Sequence, residues 1–114
     1  MGDGLMNLWE VYPTMEGTLV VFFLPLGSSK KNHRRFRRRI YGEDTSSWGG
    51  RYRYRRKGLL DEIPRVLFYT GVVIVRNRDA QPLIRSVKEV GGTVFRRRVR
   101  LTDEDARALD RPLG

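Results

Sequence analysis

The chain contains no cysteine and a single histidine, His33. Disulfides, thiolate metal sites, Cys-His nucleophile pairs and histidine metal clusters are therefore excluded, and a Ser-His-Asp triad has only His33 to use, among basic neighbours. Lysine is scarce: Lys30, Lys31, Lys57 and Lys88 are the only ones, so the 23 basic residues are mostly arginine. The apolar run Thr18 to Leu26 falls well short of the ~20 residues that span a bilayer. It has no basic region before it and no small-residue cleavage site after it, so the expected location is cytoplasmic. The glycines never reach the spacings of a phosphate loop or a dinucleotide fingerprint.

What is present is positive charge. Against 13 acidic residues the chain carries a net charge of +10 and a pI near 10.8. Arginine presents a planar fork of donors that matches phosphate and sheds its hydration more readily than lysine. At 114 residues with 39% hydrophobic content, the chain is the length of one domain with one modest core. Such a chain buries roughly two-thirds of its unfolded surface. With no covalent cross-link available, oligomerisation or a bound partner is the expected source of added stability.

Local patterning predicts an α+β fold. Residues 1–17 read as an irregular N-terminal arm, 18–109 as a single domain and 110–114 as a frayed tail. Thr18 to Leu26, apolar and rich in β-branched and aromatic residues, reads as a buried strand ending at Pro25. Ser28 or Ser29 can cap a helix running to Tyr41, with Gly42 as its terminator and Phe36 and Ile40 as its apolar anchors. That stripe is too narrow for a membrane-surface helix. Glu43 to Gly50 reads as a loop with Trp48 at its tip. Arg51 to Arg56 reads as a second strand, with Tyr52 and Tyr54 on one face and Arg51, Arg53 and Arg55 on the other. Val66 to Val75 reads as one long strand. Asp79 is the expected cap of a helix with Pro82 in its first turn and Leu83, Val87 and Val90 inward. Thr93 to Leu101 forms the last strand, with Phe95, Arg97, Val99 and Leu101 on one face. Thr102 to Asp105 forms a capping box for a short C-terminal helix with Ala106 and Leu109 inward. The order is β-α-β-β-α-β with helix stripes on one side, a ferredoxin-like sandwich.

Three basic clusters follow that order: Lys30 to Arg39, Arg51 to Lys57, and Arg96 to Arg100. They point to neutralisation of a phosphate backbone. The residues expected to contact nucleic acid are Lys30, Lys31, Arg34, Arg35, Arg38, Arg39, Arg51, Tyr52, Arg53, Tyr54, Arg55, Arg56, Arg96, Arg98 and Arg100. Tyr52 and Tyr54 either stack on unpaired bases or face the core. Trp48 is either a wedge or an ordinary packed ring. Asp103, Glu104 and Asp105 could hold magnesium, but three acids in the first turn of a helix are better explained by the helix dipole. No catalytic residue, metal or cofactor is expected.

Val20 to Pro25, the helix with Arg34, Arg35, Arg38, Ile40 and Gly42, and Gly71 to Val75 leading into a helix resemble the CRISPR-associated second Cas family. They equally resemble the C-terminal domain of PaaX-type repressors. The resemblance covers roughly residues 18–101. It implies a ferredoxin-like fold, dimerisation through the sheets and, for the Cas members, bridging of duplex DNA during spacer integration. The metal-binding aspartate of that family would fall at Leu24, which argues against its nuclease chemistry. Leu19 to Pro25, Asp79 to Ile84 and Val94 to Leu101 are also similar to the RNA recognition motif, although its stacking aromatics would fall at Val20, Thr70 and Val72. The expected function is non-catalytic gripping of nucleic acid, DNA or RNA, as a homodimer or part of a larger complex. An RNA-binding component of a ribonucleoprotein particle and a metal-dependent nuclease are the alternatives.

Overall fold

A computed structural model describes residues 15–113 apart from Trp48. The expectations for Trp48, and for the arm over residues 1–14, lie outside the described residues. The chain is α+β, with three helices and a four-stranded antiparallel sheet, an arrangement compatible with a ferredoxin-like one.

The first strand, β1 (Glu16–Phe23), stops short of Pro25. Helix α1 (Lys30–Tyr41) starts at Ser29, whose extended backbone lets Oγ accept the Asn32 N–H at 3.1 Å. It ends at Gly42, where φ is 87° and the N–H donates to the carbonyls of Arg37 and Arg38. The spacing of Phe36 and Ile40, one turn apart, aims both into the core.

Beyond Gly42 the structure departs from the sequence reading. Residues 43–47 are strand and not loop: β2 (Gly42–Ser47) pairs antiparallel with β3 (Tyr52–Lys57), with Thr45 opposite Tyr54, and Gly49 and Gly50 lie in a turn. This pair is a separate two-stranded sheet. Arg51 to Arg56 is thus not the second strand of the main sheet. Strand β2 is polar throughout and lacks the apolar alternation that marks a half-buried strand; its pairing with β3 is helped by the Thr45 hydroxyl, which donates to the Tyr54 carbonyl at 3.0 Å.

The place expected for it is taken by half of the next apolar run. After a 3₁₀ turn over Leu59–Glu62, β4 (Arg65–Tyr69) and β5 (Val72–Arg76) form a hairpin. Val66 to Val75 is therefore two strands, broken at Thr70-Gly71 because Gly71 adopts a φ of 82° that β-branched residues avoid.

Helix α2 (Asn77–Glu89) follows β5 directly. Its N-cap is Arg76 and not Asp79, so Pro82 lies in the second turn. The strand feeds the helix without a linker, and the Thr18 hydroxyl bonds Asn77 Oδ1 at 2.7 Å across that start. Strand β6 (Thr93–Arg100) and helix α3 (Asp103–Leu109) complete the chain. Thr102 and Asp105 form the expected capping box. Beyond α3, the Arg76 guanidinium holds Asp110 at 2.8 Å.

The sheet order is β4-β5-β1-β6. One face carries Val20, Phe22, Val73 and Val75 beneath Phe36 and Ile40 of α1 and Leu83, Ile84 and Val87 of α2. Each such fully buried aliphatic side chain contributes about 1.5–3 kcal/mol. The other face is not bare: α3 seats Leu109 against Ile74 and Leu101, with Leu19, Val66 and Val99 around them. Helices α1 and α2 thus share one face of the sheet, as the order predicts, and the short α3 covers part of the other. At the far end of that second face, Phe23 and Phe95 stack with ring centroids 6.3 Å apart and remain half exposed.

Candidate nucleic-acid interface

Helix α1 buries Phe36 and Ile40, which leaves every basic residue from Lys30 to Arg39 on its exposed surface. Lys30 and Lys31 sit in its first turn with no acid beside them, where the helix dipole disfavours cations. The charge there is unfavourable to the helix itself.

The arginines then sort into two kinds. Arg38 Nε lies 3.1 Å from Glu43, and Arg34 lies 3.6 Å from the same carboxylate. Arg39 pairs with Glu89 of α2 at 2.6 Å. Arg55 is the most engaged. Its guanidinium donates to Asp61 at 2.8 Å and to the Tyr41 carbonyl, and lies 3.4 Å from Asp44. It ties the ribbon to the end of α1 and to the 3₁₀ turn. Lys30, Lys31, Arg35, Arg37, Arg51, Arg53, Arg56 and Arg98 are exposed and have no carboxylate partner among the described residues.

Asp61 is the anchor of this junction. Burial alone would raise its pKa, but the Gly58 N–H at 2.9 Å and the Arg55 guanidinium outweigh that and hold it below the usual carboxylate range. The phenol of Tyr41, half-buried and stacked on Phe22, is shifted the other way. Burial pushes its phenol up, opposed by the nearby Gly71 backbone, while its hydroxyl makes no well-formed hydrogen bond.

The ribbon β2–β3 stands clear of the core. Its base touches α1 and the 3₁₀ turn, and every residue of β3 is exposed. A Cβ added at Gly49 or Gly50, near its tip, would meet nothing within 4 Å. Tyr52 and Tyr54, 58% and 53% exposed, alternate with Arg53 as expected, but among the described residues no core lies under either face. The core-facing alternative for these tyrosines is overturned.

The structure brings the first two basic clusters together and leaves the third apart. A cleft of about 760 Å³ joins α1 to the ribbon, lined by Phe23, His33, Arg34, Arg37, Arg38, Tyr41, Asp44 and Arg55. His33 is exposed on its rim. Arg96 instead reaches Gln81 at 3.2 Å, near the start of α2, whereas Arg39 meets α2 at Glu89. Eight helical residues, about 12 Å of helix, separate those two points. Arg96 and Arg98 line a second depression with Thr18 and Asn77. Arg100 is exposed at the end of β6.

The sequence pattern does not single out the open aromatic end of the sheet, where Phe23 and Phe95 stack half exposed and Tyr69, two strands away from β1 on β4, is 75% exposed. The odd-numbered face of β6 carries the signal in Phe95, but its neighbour Phe23 lies in a run that reads as a buried strand. Leu24, the position aligned with the family aspartate, packs half-buried against the core. Asp103, Glu104 and Asp105 occupy the first turn of α3, where Asp105 caps the helix. Among the described residues no three His, Asp or Glu side chains are gathered as a metal ion would need, and no helix is long and apolar enough to cross a membrane.

Comparison of the chain with protein-family models, with curated proteins and with solved structures gives no match. Function has to be read from the geometry itself.

Proposed function

We propose that this protein is a non-catalytic nucleic-acid-binding module, built on a ferredoxin-like core, that grips phosphate through α1 and the adjoining ribbon. The observation that carries this reading is the set of exposed arginines and lysines without carboxylate partners among the described residues, Lys30, Lys31, Arg35 and Arg37 on α1 and Arg53 and Arg56 on β3, on the two elements that the cleft joins. Placing them side by side costs self-repulsion that a polyanion removes, and release of condensed counterions then drives binding. Arg34, Arg38, Arg39 and Arg55 have the lesser task of holding that surface in shape. The exposed Phe23, Tyr69 and Phe95 offer a surface to a second copy, in keeping with a homodimer.

Fluorescence anisotropy across a salt series, with a labelled duplex DNA, tests this reading. A log-log slope falling by about 0.9 per phosphate neutralised, and totalling several units, is expected. Absence of binding to any nucleic acid at moderate salt would refute it.

A further inference from the structure

We propose that the β2–β3 ribbon is a groove-reading arm that enters the major groove of B-form duplex DNA. This rests on the phosphate-gripping function proposed above and adds to it the kind of nucleic acid and the element that selects it.

Four features of the arm argue for a groove. First, it is held at a fixed angle. Gly42 ends α1 and begins β2 without a linker, and Arg55 bolts the base to Asp61 and the Tyr41 carbonyl. Phosphate contacts made by α1 therefore set where the arm points. Second, its size fits. Beyond Arg55 the pairs Thr45–Tyr54, Ser46–Arg53 and Ser47–Tyr52 extend about 10 Å at the usual rise. The major groove of B-DNA is about 12 Å wide and about 8.5 Å deep and admits a two-stranded ribbon. Third, the charge is complementary and lies in the outer arm. Its two acids, Glu43 and Asp44, sit at the base beside Arg34, Arg38 and Arg55, while Arg51 and Arg53 further out have no carboxylate partner among the described residues. Fourth, Tyr52, Arg53 and Tyr54 are all exposed on an element with nothing packed beneath it among the described residues. A platform for stacking a single strand is backed by a sheet or helix; an element open on both faces suits a slot with two walls. The outer edges of the ribbon also leave backbone N–H groups facing the phosphates that border a groove. Duplex RNA is a poor fit, because its major groove is too deep and narrow for side chains to read.

The test uses the full chain, wild type and the triple variant Tyr52→Thr, Arg53→Thr, Tyr54→Thr, which keeps strand propensity at exposed positions. Anisotropy is measured with a duplex DNA, the same sequence as duplex RNA, the single strand, and the DNA carrying bulky glucosylated cytosines in its major groove. The expected result is a preference of about tenfold or more for unmodified duplex DNA over both duplex RNA and the modified duplex. The triple variant should bring that ratio close to one while its salt slope falls by only about one, since α1 still grips. Equal binding of duplex RNA, indifference to the modified groove, or preference for the single strand by the wild type would each overturn the proposal. A steep salt slope in those same titrations would leave the phosphate-gripping function standing. A flat slope on every probe would remove both.

Discussion

Alanine substitution of Arg35 and Arg37 should weaken binding through the salt slope, whereas substitution of Arg55 should leave the slope and lower the melting temperature. The two groups lie within one basic surface but differ in what holds them. Arg35 and Arg37 are exposed on α1 with no carboxylate partner among the described residues, while Arg55 is held by Asp61, Asp44 and the Tyr41 carbonyl. Lys30, Lys31, Arg35, Arg37, Arg51, Arg53 and Arg56 form the set free to meet phosphates near the cleft. If each neutralises one phosphate of B-DNA, the log-log slope is about 6, and affinity falls by about 10³–10⁴ between roughly 50 and 200 mM salt. Removing Arg35 and Arg37 together should reduce the slope by about 1.8. Near 0.1 M salt that is a loss of about 60-fold relative to the 1 M limit, or about 2.5 kcal/mol. The assay is anisotropy at five or more salt concentrations, paired with thermal melts of each variant without nucleic acid. Arg55→Ala should lower the melt and leave the slope within about 0.3 of wild type. Equal slope losses for all three arginines would refute the division into free and pinned residues.

Two further outcomes follow from the junction beneath the arm. Gly58→Ala should destabilise the fold by about 1–3 kcal/mol, because a Cβ there would run into the backbone of Tyr41 and Ile40, which cannot rotate away; a chemical melt with an unchanged midpoint would contradict this. The lowered pKa of Asp61 means that its carboxylate stabilises the fold fully above the unfolded value of about 3.9, and that this contribution is lost as pH falls through the lower folded value. Melting temperature should therefore drop more steeply on acidification below about pH 4 in the wild type than in Asp61→Asn, and parallel acid limbs would count against the Gly58 and Arg55 contacts as its cause.

Elements that bury an apolar stripe were legible in the sequence. Phe36 and Ile40 between Ser29 and Gly42 define α1, and Thr102 with Asp105 defines the start of α3, because caps and stripes are local signals. The number of sheet strands was also legible, but one was assigned to the wrong residues. Arg51 to Arg56 has the alternation of a strand and is one, yet its partner Gly42–Ser47 is so polar that only backbone pairing reveals it. The true second sheet strand is hidden inside Val66 to Val75, which reads as one strand although Thr70-Gly71 makes a turn in its middle. The basic residues of the candidate site could all be read from the sequence. Their division into free and pinned could not, since the partners of Arg39 and Arg55 depend on how α2 and the 3₁₀ turn fold against them.

Gly42 and Gly58 are so close that neither has room for a Cβ beside the other's backbone. The chain therefore leaves the body and rejoins it at nearly one point. An excursion closed in this way is a module: outward of the Arg55 and Glu43 anchors the core does not depend on its contents, and doubling the length of a flexible loop costs only about 0.6 kcal/mol in closure entropy. Longer, shorter or differently lettered ribbons could be exchanged at this neck over evolutionary time, or by design, with the charged helix as a constant handle and the inserted hairpin as the interchangeable tip.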